Sequence, residues 1–190
     1  MNKYAVVAIF VVLVVVAIYS IVQVSMPVMS ATVSSVGIGS SVCIYHNGRL
    51  IEPCSHNTMT NAGLNWTRDL IGNWSGGTNP MKFIALGNGS TAENSSLTTL
   101  PNQINDCGLA IAEGAYAVNQ TSSGSWSISK QFTSTCDNIV VNTTALYNQS
   151  SSTCGSGGCV MFAGKDFSSN VTLMNNDQLN ITWYIWVTGG

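Results

Sequence analysis

Leu179-Asn-Ile-Thr-Trp-Tyr-Ile-Trp-Val-Thr188 reads as a β-strand with two unlike faces. Leu179, Ile181, Trp183, Ile185 and Val187 fall on one side, and Asn180, Thr182, Tyr184, Trp186 and Thr188 on the other. Side chains alternate along a strand with a period of two, so the pattern fits a sheet with one face in a core and one in solvent. Gly124 to Thr133 alternates in the same way. There Trp126, Ile128, Lys130 and Phe132 oppose Ser125, Ser127, Ser129, Gln131 and Thr133.

Further short β-prone runs lie upstream and between: Met81 to Leu86, Leu109 to Val118, Ile139 to Tyr147, Val160 to Phe167 and Val171 to Met174. Gly87-Asn-Gly89 closes the first of them. Asn47-Gly48, inside Cys43-Ile-Tyr-His-Asn-Gly-Arg-Leu-Ile-Glu-Pro-Cys54, is a hairpin signal, because both turn positions need positive φ. A two-residue loop sets His46 opposite Arg49 and Cys43 opposite Glu52, so a Cys43–Cys54 bridge needs a bulge or bend near Pro53. Thr58 to Trp74 is the one helical window, with Ala62, Trp66, Leu70 and Ile71 at helical spacing. Thr60 or Asn61 can cap it and Gly72 can end it. Many short strands, Gly/Asn turns and one short helix predict an all-β, Greek-key β-sandwich over residues 43–190.

Charge is scarce. The chain of 190 residues holds 6 Lys plus Arg and 8 Asp plus Glu, for a net charge of −2. Charged residues are 7% of the total, against about 25% in ordinary globular proteins. This excludes a basic nucleic-acid surface. Two His, three Glu and five Asp supply little acid–base machinery, and Ser and Thr near His46 or His56 carry no information because Ser and Thr are everywhere. The chain therefore reads as a non-enzyme with no metal or cofactor. The Gly-rich segment Cys154–Cys159 lacks the Gly-Lys-Ser/Thr ending and following helix of a phosphate cradle.

Lys3 precedes an uncharged apolar run from Ala5 to Val24, and small residues follow at Ser30 and Ala31. This pattern predicts a signal peptide over residues 1–30, cleaved near Ser30 or Ala31. The run is also long enough to span a bilayer as a retained anchor. In both cases the rest of the chain is extracellular, and the leader is its only membrane contact. Such a compartment permits disulfides among Cys43, Cys54, Cys107, Cys136, Cys154 and Cys159. A Cys154–Cys159 bridge leaves Cys107 with Cys136, although spacing alone does not fix connectivity. Nine Asn-x-Ser/Thr acceptors are present: Asn65, Asn73, Asn88, Asn94, Asn119, Asn142, Asn148, Asn170 and Asn180. With 19 Asn and 24 Ser plus 17 Thr, chance gives 19 × 41/190, about 4. Dense N-glycosylation would solvate a surface that charge does not.

Lys130 falls on the core side of its strand, and Glu113 shares a face with Leu109 and Ile111. Three readings stay open: Lys130 snorkels from an edge or bulge, it pairs with Glu113 in the interior, or it forms an isopeptide bond to an Asn or Asp while Glu113 transfers protons.

Thr60–Gly72, Phe83–Ala92, Trp126-Ser-Ile-Ser-Lys-Gln-Phe132 and Asp177-Gln-Leu-Asn-Ile-Thr-Trp183 together resemble small secreted β-sandwich proteins of archaea. Notable among the proteins it resembles are the subunits of the extracellular thread filaments of Sulfolobales, and it is also similar in pattern to domains on virus and phage tail proteins. The resemblance implies an immunoglobulin- or pilin-like subunit of a glycosylated cell-surface filament, without catalytic residues. Identical subunits would join head to tail by donor-strand complementation and serve adhesion to other cells or surfaces. Residues 31–42, with Val33, Val36, Ile38 and Val42, would be the donor strand. Donor and acceptor lie at different places on one molecule, so the contact is heterologous and does not close. The alternatives are that Ala31–Val42 is the first strand of its own sandwich in a membrane-anchored adhesin or envelope domain, or that the chain is a virion or tail component.

Overall fold

The computed structural model describes residues 37–71, 80–118, 124–150 and 159–188. In chain order these form β1 (Gly37–His46), β2 (Arg49–His56), β3 (Thr58–Met59), α1 (Asn61–Ile71), β4 (Phe83–Gly87) and β5 (Ala112–Glu113). β6 (Ala115–Val118), β7 (Ser125–Thr133), β8 (Ile139–Tyr147), β9 (Met161–Leu173) and β10 (Gln178–Thr188) follow. They build two 5-stranded sheets, ordered β2-β1-β10-β7-β6 and β3-β9-β8-β4-β5. The strand pairs are antiparallel, and the sheets pack as an all-β sandwich.

The alternation read from Leu179 to Thr188 sets this arrangement. Leu179, Ile181, Trp183 and Ile185 point between the sheets and are buried. They meet Ile44 of β1, Ile128 and Phe132 of β7, and Ile84 and Leu86 of β4 in one apolar cluster. Trp183 is fully buried at its centre. A second, smaller cluster lies on the far face of the second sheet. Ala85, Ala145, Tyr147 and Met161 are covered there by Ala92 and Leu100 from the long β4–β5 connection. The second sheet is thus covered on both faces, while the first keeps one face outward.

Both lateral edges are turned by chain that changes sheet. At one edge β2 of the first sheet runs through Asn57 into β3 of the second. At the other, β5 of the second sheet runs through Gly114 into β6 of the first. Such corners are how packed sheets share strands. Gly114 is required by space: a Cβ there would sit 2.5 Å from Ile128 Cγ2 and 3.1 Å from the Ser129 carbonyl oxygen. The sequence pattern expects one strand from Leu109 to Val118, and this corner divides it. In the other direction, the two runs expected at Val160–Phe167 and Val171–Met174 are one strand, β9. A bulge relative to β8 between Val141 and Thr143 absorbs the polar residues between them.

The β1–β2 hairpin turns at Asn47 and Gly48, with φ of 48° and 76°. His46 faces Arg49 as the two-residue loop dictates. Register then shifts on either side of Ile44, so Ile44 rather than Cys43 opposes Glu52. That irregularity lets Cys43 and Cys54 form a disulfide across strands whose diagonal positions are otherwise too far apart. α1 begins at the Thr60 cap, whose Oγ1 accepts from Gly63 N at 2.9 Å. The same hydroxyl donates to the Met161 carbonyl, and Thr60 N donates to Phe162 O at 2.9 Å, which fastens the helix start to β9.

One expectation is corrected here. Ile38 and Val42 are not in a free donor strand. They lie in β1, which pairs along its length with β10 of the same chain, from Gly37↔Thr188 to His46↔Leu179. The physical reason is that β10 needs a partner on that side and Val42 fills the core, where it is fully buried. Val33 and Val36 lie outside the described residues, as does the expected signal peptide.

Candidate functional site

Among the described residues, one face of the first sheet is turned outward, away from the core. Its positions on β1 are Gly39, Ser41, Cys43 and Tyr45, and on β10 Asn180, Thr182, Tyr184 and Trp186. On β7 they are Ser125, Ser127, Ser129 and Gln131, and on β6 Ala115 and Ala117. None is an Asp, Glu, Lys or Arg. Trp186 lies flat over Gly39, where a Cβ would meet its ring at 2.5 Å. The His56 ring stands edge-on to it, 5.9 Å away. Tyr45, Asn180 and Gln131 form one row across three strands. With Gly48 and Gln178 they line a cavity of about 180 Å³.

β6 is the open edge of this sheet. Tyr116 and Val118 lie opposite Ile128 and Trp126 and so share the core-facing phase of β7. Ile128 is buried, yet Tyr116 is 64% and Val118 58% exposed. The second sheet offers only the two-residue β5 at this flank, so nothing among the described residues covers them. A groove of about 540 Å³ adjoins, lined by Val118, Ser125, Trp126, Ser127, Tyr184, Ile185 and Trp186.

At one end of the sandwich the turns are knitted by Asp177. Its carboxylate accepts from Met174 N at 2.9 Å and from Asn47 Nδ2 at 2.9 Å, and His46 Nε2 lies 3.2 Å from it. The Met174 N–H first and Asn47 second hold the carboxyl below the usual carboxylate range; burial opposes them, and His46 adds smaller pulls downward. Asn47 answers with its own Oδ1, which accepts from Gln178 N at 2.7 Å. The Cys107–Cys136 disulfide ties a neighbouring loop to the β7–β8 connection, beside Thr135 N bonded to the Cys107 carbonyl at 2.9 Å.

The expected sites fall out unevenly. Cys43–Cys54 and Cys107–Cys136 are bonded, and Cys159 is in a disulfide while Cys154 lies outside the described residues. Asn65, Asn88, Asn94 and Asn170 are exposed, Asn142 and Asn180 half-buried. Asn73 and Asn119 lie outside the described residues. Asn148 departs from the expectation of a solvent-facing acceptor. It is 5% exposed, and its Oδ1 accepts from Val160 N at 2.7 Å, because it closes the end of β8 against the start of β9.

The inward pair of Lys130 and Glu113 does not form. Glu113 lies beyond the Gly114 corner, in the other sheet, and binds Lys82 at 2.6 Å. Lys130 is half-buried, and its side-chain ammonium has no hydrogen-bond or ion-pair partner among the described residues.

Sequence reasoning missed the ionic cluster that does exist. Lys165 of β9 lies 2.6 Å from Glu93 and 3.8 Å from Glu52, whose Oε2 accepts from Ser168 N at 2.7 Å. This cluster fastens β2 to β9 beside the Asn57 corner. It missed Tyr147 as well. The Tyr147 hydroxyl accepts from Leu100 N at 2.6 Å, and burial pushes the phenol up to about 12. Both join residues far apart in the chain, with no local signal. Among the described residues no group of His, Cys, Asp and Glu is arranged to hold a metal ion. Among them also, no helix is long and apolar enough to cross a membrane. Two disulfides fit an oxidising, extracellular compartment. The chain matches no protein-family model, no curated protein and no solved structure.

Proposed function

We propose that this chain is a structural subunit of a glycosylated extracellular filament, polymerised by strand addition between copies. The observation that carries the reading is the exposure of Tyr116 and Val118 on the core-facing phase of the edge strand β6. An open edge with apolar side chains and no charged gatekeeper is a template for a further strand. Ladder hydrogen bonds would supply affinity, and burial of the two side chains would supply register. The added strand is the segment Ala31–Val36 of the next copy, which is uncharged and long enough for the four residues of β6. It replaces the longer donor expected from the sequence, since Gly37 onward belongs to β1. Donor and acceptor differ, so the contact propagates. The uncharged outer face and the exposed sequons suit a sugar-coated shaft, and nothing in this role needs a cofactor or nucleic acid.

The test is to purify the secreted protein and follow polymerisation by sedimentation and electron microscopy. Tyr116→Lys with Val118→Lys places two charges on the edge and is expected to leave folded monomers. Removal of residues 31–36 is expected to do the same, and mixing the two variants restores no filaments longer than dimers. Filaments from either variant, or a wild type that is monomeric at all concentrations, would overturn the reading in favour of an anchored surface domain.

A further inference from the structure

We infer that Asn180 carries a glycan whose first sugar lies back on the sheet, in the cavity between Tyr45, Gln131 and Gln178. The inference rests on the extracellular aspect of the reading above and not on polymerisation. Asn180 sits in mid-sheet, not on a loop. β1 and β7 flank it, so Tyr45 and Gln131 are its direct cross-strand neighbours. Cβ atoms of such neighbours lie about 5 Å apart. Thr182, the third residue of the sequon, falls on the same face by strand alternation.

A sugar attached at Nδ2 here is flanked by Tyr45 on one neighbouring strand and Gln131 on the other. It rises between a phenol ring and an amide. The cavity of about 180 Å³ is smaller than the roughly 300 Å³ at which drug-sized ligand sites begin, a size open to a ring that is tethered at its rim. Its lining matches a pyranose. Tyr45 offers an aromatic face for the apolar side of the ring. The side-chain amides of Gln131 and Gln178 have no side-chain partner among the described residues and can donate to and accept from sugar hydroxyls. No charged side chain lines the cavity, and Gly48 leaves the way out open, with nothing within 4 Å of where its Cβ would be. Exposed sequons such as Asn170 do not line this cavity. Attachment exchanges one Nδ2 hydrogen for the anomeric carbon of a lipid-phosphate-linked glycan. The C1–O bond to phosphate breaks, the C1–N bond forms, and the amide proton leaves with the phosphate.

The experiment uses the full chain secreted by an N-glycosylating host. Glycopeptide mass spectrometry is expected to find Asn180 occupied. Asn180→Gln is expected to lower Tm by about 3 °C, and Asn170→Gln by under about 1 °C. Tyr45→Ala is expected to lower Tm in the glycosylated protein and to add little in the Asn180→Gln background, since both remove one contact. Gln131→Ala, at an exposed position, repeats the coupling without the aromatic. Strictly additive effects, or a bare Asn180 peptide beside occupied sequons, overturn the inference and leave the extracellular reading standing. A protein with every sequon bare overturns both.

Discussion

Asp177 joins two turns through one carboxylate, and its chemistry gives the fold an acid-sensitive point. Its pKa is lower in the folded chain than in the unfolded one, so the sign is settled. The contribution is complete above the unfolded value of about 3.9 and is lost as pH falls through the folded value. Denaturant midpoints measured from pH 7 down to about pH 2 should therefore fall less steeply for Asp177→Asn than for the wild type. Parallel curves would remove this carboxylate from the account. Little of the arrangement is legible in the sequence, because His46 and Asp177 are 131 residues apart. Asn47 is legible as a turn former. Its second role, as the amide that both gives to Asp177 and takes from Gln178, belongs to the tertiary structure alone. Lys130 and Glu113 teach the same lesson in reverse. Their faces follow from alternation along separate strands, and alternation says nothing about which sheet a strand joins.

At the scale of elements, the strands with clean alternation are readable and the corners are not. β10 and β7 occupy the spans their patterns mark, and the Thr60 cap starts the helix at the expected place. The segment from Leu109 to Val118 is not one strand, because Gly114 turns it from one sheet into the other. A glycine within a strand pattern is the local signal for such a bend. Gly114→Val puts branched atoms against Ile128 and Ser129 and is expected to cost about 1–3 kcal/mol, as other overpacked cores do. Urea unfolding would measure it. A loss near zero would mean that the corner is loose and that β5 and β6 are not held in separate sheets. The β1–β2 bulge is legible only as a need of the Cys43–Cys54 bridge. Its result, Ile44 and not Cys43 opposite Glu52, depends on the register shift and cannot be counted from the turn.

For the whole molecule the low charge has a measurable consequence. With 6 basic and 8 acidic side chains in 190 residues, few ion pairs exist to be screened. Surface pairs such as Lys82–Glu113 contribute at most about 1 kcal/mol each. Tm should change by under about 2 °C as NaCl is raised from low to molar concentration. A larger fall would show that the cluster of Lys165, Glu93 and Glu52 outweighs the apolar core as a source of stability.

The pairing of Gly37 with Thr188 sets how the sandwich bears tension. Chain enters the first sheet and leaves it at directly opposed residues. A pull between those two points loads the β1–β10 ladder at its end. The hydrogen bonds then break in succession, like a zipper, at low force. A pull between Gly37 of β1 and Gln178, at the opposite end of β10, loads every rung of the same ladder at once, in shear. A shaft made of such units would be tough or extensible according to where its neighbours grip it.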